Sequence, residues 1–94
     1  MRIVVKKRAR NAMIKAALFV EKINTEHSGD RWLGKVYSKI ISLSKAKANY
    51  ALCRHTSLSK FKYSCISYGK WIIVFRMSTD KLEICRFIYG PRLS

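Results

Sequence analysis

The chain opens with a short β-branched run, residues 2–7 (Arg-Ile-Val-Val-Lys-Lys), which predicts a strand. From about Arg10 to Asn24 the period changes. Met13, Ala16, Ala17, Val20 and Ile23 recur every three or four residues, one face of a helix, with Lys15 and Lys22 on the other side. Residues 24–29 (Asn-Thr-Glu-His-Ser-Gly) break the pattern with loop residues, among them His27, read as a solvated loop histidine. Ser28 or Asp30 then caps a second helix. Its apolar stripe is Trp32, Leu33, Val36, Ile40 and Leu43, opposite Lys35, Lys39 and Ser42. The connection is short, so the two helices are expected to form an antiparallel hairpin.

Beyond Ala48 the character becomes β. Residues 61–67 alternate, Tyr68-Gly69-Lys70 is a turn, and 71–77 (Trp-Ile-Ile-Val-Phe-Arg-Met) is the strongest strand pattern in the chain. Residues 78–80 turn again, 81–88 form the last strand, and Gly90-Pro91 ends it because Pro cannot donate to a ladder. The expected fold class is α+β: an N-terminal strand, an antiparallel helical hairpin, then a mainly antiparallel β-meander, all in one domain spanning 1–94. With Thr79-Asp80 as the hairpin tip, Met77 faces Leu82, Phe75 faces Ile84 and Ile73 faces Arg86. Trp71, Ile73, Phe75, Met77, Leu82, Ile84 and Ile88 then share the face that receives the helices, with Arg86 as a blemish on it. Arg76 and Glu83 meet on the other face as an opposite-charge cross-strand pair. A three-residue turn at 68–70 puts Tyr63 beside Phe75 and Lys62 beside Arg76; a two-residue turn swaps those faces. In the three-residue register the open face carries Lys62, Ser64, Arg76, Glu83 and Cys85, with the apolar Ile72, Val74 and Phe87.

Charge changes the picture most. The 94 residues hold 20 Lys plus Arg against 5 Asp plus Glu, a formal net charge of +15, yet 49% are hydrophobic. The apolar content excludes a disordered basic tail, and four Gly with one Pro exclude a collagen-like or low-complexity chain. So much like charge opposes compaction, which points to an acidic partner: nucleic acid or a nucleic-acid machine first, an acidic protein second, an anionic membrane surface third. The apolar run 16–20 after the basic start is interrupted by Lys15 and closed by Glu21-Lys22. It is read as structure rather than as a targeting segment or a membrane span. Cys53, Cys65 and Cys85 are odd in number and lack zinc-ligand spacing, so they are expected to be buried, reduced thiols of a cytoplasmic protein.

The ending from Gly69 through Trp71, Phe75, Arg76, Ile84, Arg86, Gly90 and Arg92 resembles the terminal pattern of the RelE/ParE superfamily of bacterial toxins, and the opening Met-Arg-Ile-Val-Val resembles that family's first strand. The resemblance implies a growth-inhibiting toxin of a type II toxin–antitoxin pair, held in check by a cognate antitoxin. Two modes of action follow from it: a ParE-like poison of DNA gyrase, or a RelE-like metal-independent endonuclease cutting mRNA on the ribosome. Neither implies a cofactor, a metal or a membrane partner.

A metal-free ribonuclease needs a group to activate the 2′-hydroxyl, cations for the phosphate and a proton donor for the leaving oxygen. Under the resemblance Lys62 and Arg92 occupy matching positions, with Arg86 and Tyr89 as further catalytic candidates. Ser64 and Ile72 stand where a lysine and an arginine of the nuclease set are expected, and Tyr89 replaces a histidine. The incomplete set favours the ParE-like reading slightly, leaving it uncertain whether the chain is an enzyme at all. The target- or phosphate-binding candidates are Arg54, Lys60, Lys62, Arg76 and Arg92. Plainer readings stand beside these. Arg76 pairs Glu83, Arg86 holds a strand edge, Tyr89 covers the end of the core, His55 is a solvated loop residue, and Lys6, Lys7, Arg8 and Arg10 are a solvated basic run. A non-enzymatic basic nucleic-acid-binding domain is the alternative outside the toxin family; no recognition helix or RNP-type aromatic pattern is evident for it.

Overall fold

The computed structural model describes residues 2–45, 53, 58 and 61–92. The fold is α+β: β1 (Arg2–Val5), α1 (Lys7–Ile23), α2 (Ser28–Lys45), β2 (Ser64–Tyr68), β3 (Trp71–Met77) and β4 (Lys81–Tyr89), closed by a 3-10 turn at Gly90–Arg92. One mixed sheet has the order β1-β4-β3-β2. The meander β2-β3-β4 is antiparallel, whereas β1 lies parallel to β4. The Lys6 N–H donates to the Ile84 carbonyl at 2.9 Å and the Arg2 N–H to the Asp80 carbonyl at 2.9 Å.

Helix α1 begins three residues before the expected start. Lys7, Arg8, Ala9 and Arg10 all favour helix, and entering it at once buries Ala9 on the same side as Met13 and Ala16. Ile23, expected on the buried face, is exposed, as are Ile14, Leu18 and Phe19. On α2 the expected stripe holds: Val36, Ile40 and Leu43 are buried, and Trp32 and Leu33 pack at the core's margin. The helices are joined by four residues, 24–27. They approach closely at Gly29, where an added Cβ would collide with the Ala17 carbonyl oxygen. Asp30 lies in the first turn of α2, where its charge complements the helix dipole.

The helical hairpin covers one face of the sheet. Ala9, Met13, Ala16, Val36, Ile40 and Leu43 pack with Ile73, Phe75, Leu82, Ile84 and Phe87. The register departs from expectation in two places. Met77↔Leu82, Arg76↔Glu83 and Phe75↔Ile84 pair as expected, but the ladder then skips Cys85, so Val74 meets Arg86 and Ile73 meets Phe87. This one-residue bulge reverses the facing of everything after it. Phe87 joins the helix-covered face, while Arg86 and Ile88 leave it. The alternative is a guanidinium against Ile73 in the core, and the bulge removes that desolvation cost.

The second departure is the β2–β3 turn. Tyr68 pairs with Trp71, so the loop is the two residues Gly69 and Lys70. Gly69 has φ 59°, the positive value that a type II′ hairpin turn requires at its first central position. Ser64 therefore lies opposite Phe75 on the helix-covered side, and Cys65 lies opposite Val74 on the other. That other face has its own small core, in which Cys53, Leu58 and Val74 are buried among Tyr63, Cys65, Ile72 and Ile88. Cys53 and Cys65 form a disulfide there, and Cys85 is a buried free thiol. The expectation of three reduced thiols is thus corrected for two of them. The sequence shows no spacing signal for the bond because chain placement, not spacing, brings the two sulfurs together.

Two stability results are expected. Phe75 is fully buried at the centre of the sheet, so Phe75→Ala should lower the unfolding free energy by about 3–5 kcal/mol in urea titration. The disulfide closes a loop with a sequence separation of 12, for which chain entropy gives about 3 kcal/mol. Denatured, unreduced protein should show one reactive thiol and reduced protein three, with a lower melting temperature after reduction.

Candidate functional site

The face of the sheet away from the helices carries two of the cationic candidates, Arg76 and Arg86. Arg76 projects from β3, exposed, beside the pair Phe61 and Tyr63 that precedes β2. Its guanidinium donates to the Phe61 carbonyl at 3.1 Å and lies 4.9 Å from the centroid of the Tyr63 ring. It therefore has a fixed position, held by a charge-assisted hydrogen bond and a cation–π contact. Arg86 sits half-buried on the same face, opposite Val74. Lys62 belongs to a turn, not to a strand as expected. Its φ is 60°, and its exposed side chain follows the carbonyl that Arg76 holds.

Glu83 pairs differently from expectation. It stands across from Arg76 in the ladder, but its carboxylate meets Lys6 at 3.1 Å and Lys81 at 3.2 Å. The parallel strand β1 explains this, because it delivers Lys6 to the edge of β4. The hydrogen bonds from Lys6 and then Lys81 hold the Glu83 carboxyl below its ordinary value of 4.5. Burial pushes the Cys85 thiol up from its ordinary value of 9.0, so it remains protonated and unreactive at neutral pH.

Tyr89 lies elsewhere. By the register it shares a side with Phe87 and Trp71. Its ring meets Trp71 edge-on at 5.2 Å, and Trp71 stacks on Phe87 at 4.7 Å. Trp32 of α2 closes the cluster edge-on at 6.0 Å from Trp71 and 5.9 Å from Phe87. Trp71, expected to lie in the core, sits half-buried at its margin. Thus the nuclease candidates Arg86 and Tyr89 fall on opposite sides of β4. Arg92 ends the 3-10 turn, whose first residue is fixed by the Gly90 N–H donating to the Lys70 carbonyl at 2.7 Å. An added Cβ at Gly90 would stand 2.8 Å from that same oxygen, so the close approach requires glycine. Arg54, His55 and Lys60 lie outside the described residues.

Two features went unseen in the sequence. One is a cleft of about 480 Å³ between α1 and the ends of β3 and β4, lined by Lys15, Phe19, Val20, Trp71, Phe87 and Tyr89 among others. The apolar period of α1 hinted at it only through Val20, since Phe19 falls off the expected stripe. The other is the turn cluster of Glu21, His27 and Asp30, whose ligand-type atoms lie within 4.8 Å of one another. His27 has φ 66°, and its backbone N–H donates to Glu21 Oε1 at 3.0 Å, so the carboxylate braces the interhelical turn. No family model matches the chain, and no curated protein matches it.

The Glu83 pairings give a pH signature. Because its carboxyl titrates lower in the folded state than in the unfolded chain, the associated stabilisation is complete above the unfolded value. It is lost as pH falls through the lower folded value. The gap in melting temperature between the parent protein and Glu83→Gln should therefore be steady from pH 6 to 8 and shrink below about pH 4.5.

Proposed function

We propose that the chain is a growth-inhibiting toxin of a type II toxin–antitoxin pair of the RelE/ParE kind, acting in the cytoplasm on DNA gyrase. The observation that carries this reading is the folding of residues 69–92, the segment in which the resemblance is densest, as one continuous unit. It begins at the type II′ turn and ends where Gly90 closes back on the Lys70 carbonyl. The order of strand, helical hairpin and meander agrees with the layout the resemblance implies.

The gyrase-directed form is favoured over mRNA cleavage by the placement of the candidate groups. A general acid or base must lie within hydrogen-bond reach of the proton it moves, near the cations that hold the phosphate. Tyr89 is engaged with Trp71 on the helix-covered side, while Arg76 and Arg86 lie on the other. Arg76 is moreover committed to the Phe61 carbonyl. Such a surface suits binding more than proton transfer. The RelE-like alternative keeps one supporting observation, the cations Arg76 and Arg86 on the same open face.

The antitoxin partner fits the exposed side of α1. Ile14, Leu18, Phe19 and Ile23 are solvent-facing, and Phe19 borders the aromatic cleft with Lys15 at its rim. An acidic amphipathic segment would bury that apolar surface and neutralise part of the +15 charge.

Tightly controlled expression tests the reading. Induction should arrest growth and produce gyrase-linked DNA breaks without ribosome-dependent mRNA cleavage, and Arg76→Ala should weaken the arrest by a graded amount. Cleavage of ribosome-bound mRNA by purified protein would transfer the assignment to the RelE-like mode. A folded protein that leaves growth untouched would overturn the toxin reading.

A further inference from the structure

The helical hairpin carries a second charged surface, on α2, that the proposed toxin action does not use. Arg31, Lys35, Ser38, Ser42 and Lys45 follow one another at intervals of four, three, four and three residues, which keeps them on one side of the helix. All five are exposed, and that side is opposite the buried Val36, Ile40 and Leu43. Lys39 flanks the row. Beyond Asp30 the helix contains no acidic residue at all. At 1.5 Å per residue the row is about 21 Å long, and Arg31 and Lys35 are about 6 Å apart along the axis.

The chemistry of the row selects its partner. Guanidinium and ammonium groups, here Arg31, Lys35 and Lys45, are the side chains that neutralise phosphate oxygens, while Ser38 donates its hydroxyl to the Gly34 carbonyl at 3.0 Å and serves as a small polar spacer. The row has no Asn or Gln to read adenine bidentately. It holds no aromatic side chain, and the exposed Ile41 beside it stands alone on this helix, too little to anchor a protein interface or to enter a lipid surface. By contrast α1 mixes its cations with the exposed Leu18 and Phe19. A straight cationic row of about 21 Å matches roughly six base-pair steps at 3.4 Å each.

We propose that the Arg31–Lys45 row of α2 binds the phosphate backbone of double-stranded nucleic acid without reading its sequence. Binding comes from released counterions, so it weakens steeply with salt. This inference does not rest on the toxin reading, and it stands or falls by a different measurement.

The test is fluorescence anisotropy of a labelled random-sequence duplex, titrated with the full-length protein over a range of salt concentrations. Two triple variants remove equal charge: R31Q/K35Q/K45Q on the row, and R2Q/R8Q/K70Q, three exposed positions outside α2. The α2 variant should lower the slope of log affinity against log salt by about 2.7, at about 0.9 per lost phosphate contact. At about 0.1 M salt it should lose at least roughly tenfold in affinity, and the control variant less than about threefold. The single variant Lys35→Gln should lower the slope by about 0.9, which keeps the test decisive should the triple variant lose its helical circular dichroism. Equal losses in both triple variants would overturn the proposal, since net charge alone would then account for binding. Binding to anionic phospholipid vesicles but not to the duplex would also overturn it.

Discussion

The single unpaired residue in β4 decides how the rest of the sheet is used. Before Cys85, Leu82 and Ile84 face the helices; after it, Phe87 and Tyr89 do, although strict alternation would have sent them to the other side. The helix-covered core therefore holds Phe87 in place of Arg86, and the aromatic group of Trp32, Trp71, Phe87 and Tyr89 exists only because of that shift. The same shift places Arg86 and Ile88 on the open face, where Ile88 packs beside Val74 and the Cys53–Cys65 pair. One residue of slack thus separates a cationic face from an aromatic one.

Electrostatics imposes the second constraint. With five carboxylates to offset twenty cations, most of the positive charge has no internal counterpart. Glu83 takes two lysines at once and pins β1 to β4, and Glu21 braces the interhelical turn. Among the described residues, the other cations fall mainly into a mixed apolar and basic side on α1, a polar and basic row on α2, and the open sheet face, where Arg86 is half-buried. The attraction between isolated exposed ion pairs is small, so this distribution bears on partners and association rates more than on the stability of the fold.

Much of the architecture was legible because period and punctuation agreed. The apolar stripe of α2, the turn at 78–80 and the pairing of Phe75 with Ile84 could be read from the sequence because alternation and turn residues pointed the same way. The bulge could not, since alternation carries no mark for a residue that drops out of the ladder; the one hint was the awkward position it would have given Arg86. The β2–β3 register failed for a related reason. Alternation leaves Tyr68 free to join the turn, yet Gly69 alone supplies the positive φ that a two-residue loop needs. At the candidate site, Arg76 was found but not its partners. The Phe61 carbonyl and the Tyr63 ring are invisible to a side-chain charge count, and Lys6 reaches Glu83 only through a parallel pairing between the two ends of the chain.

That parallel pairing has a consequence for biosynthesis. β1 precedes the helical hairpin in the chain, while its sheet neighbour among the described residues, β4, follows both β2 and β3. The helical hairpin can assemble locally in the nascent chain, but its apolar face has no Leu82, Ile84 or Phe87 to rest on until residues 81–89 have been synthesised. Such long-range closure is slow and entropically costly compared with local contacts. A chain that stops before residue 81 lacks the strand that joins β1 to β3, so it carries two unsatisfied strand edges and a core without Leu82, Ile84 and Phe87. The sheet, with its separated aromatic and cationic faces, therefore forms only once β1 and β4 are both present.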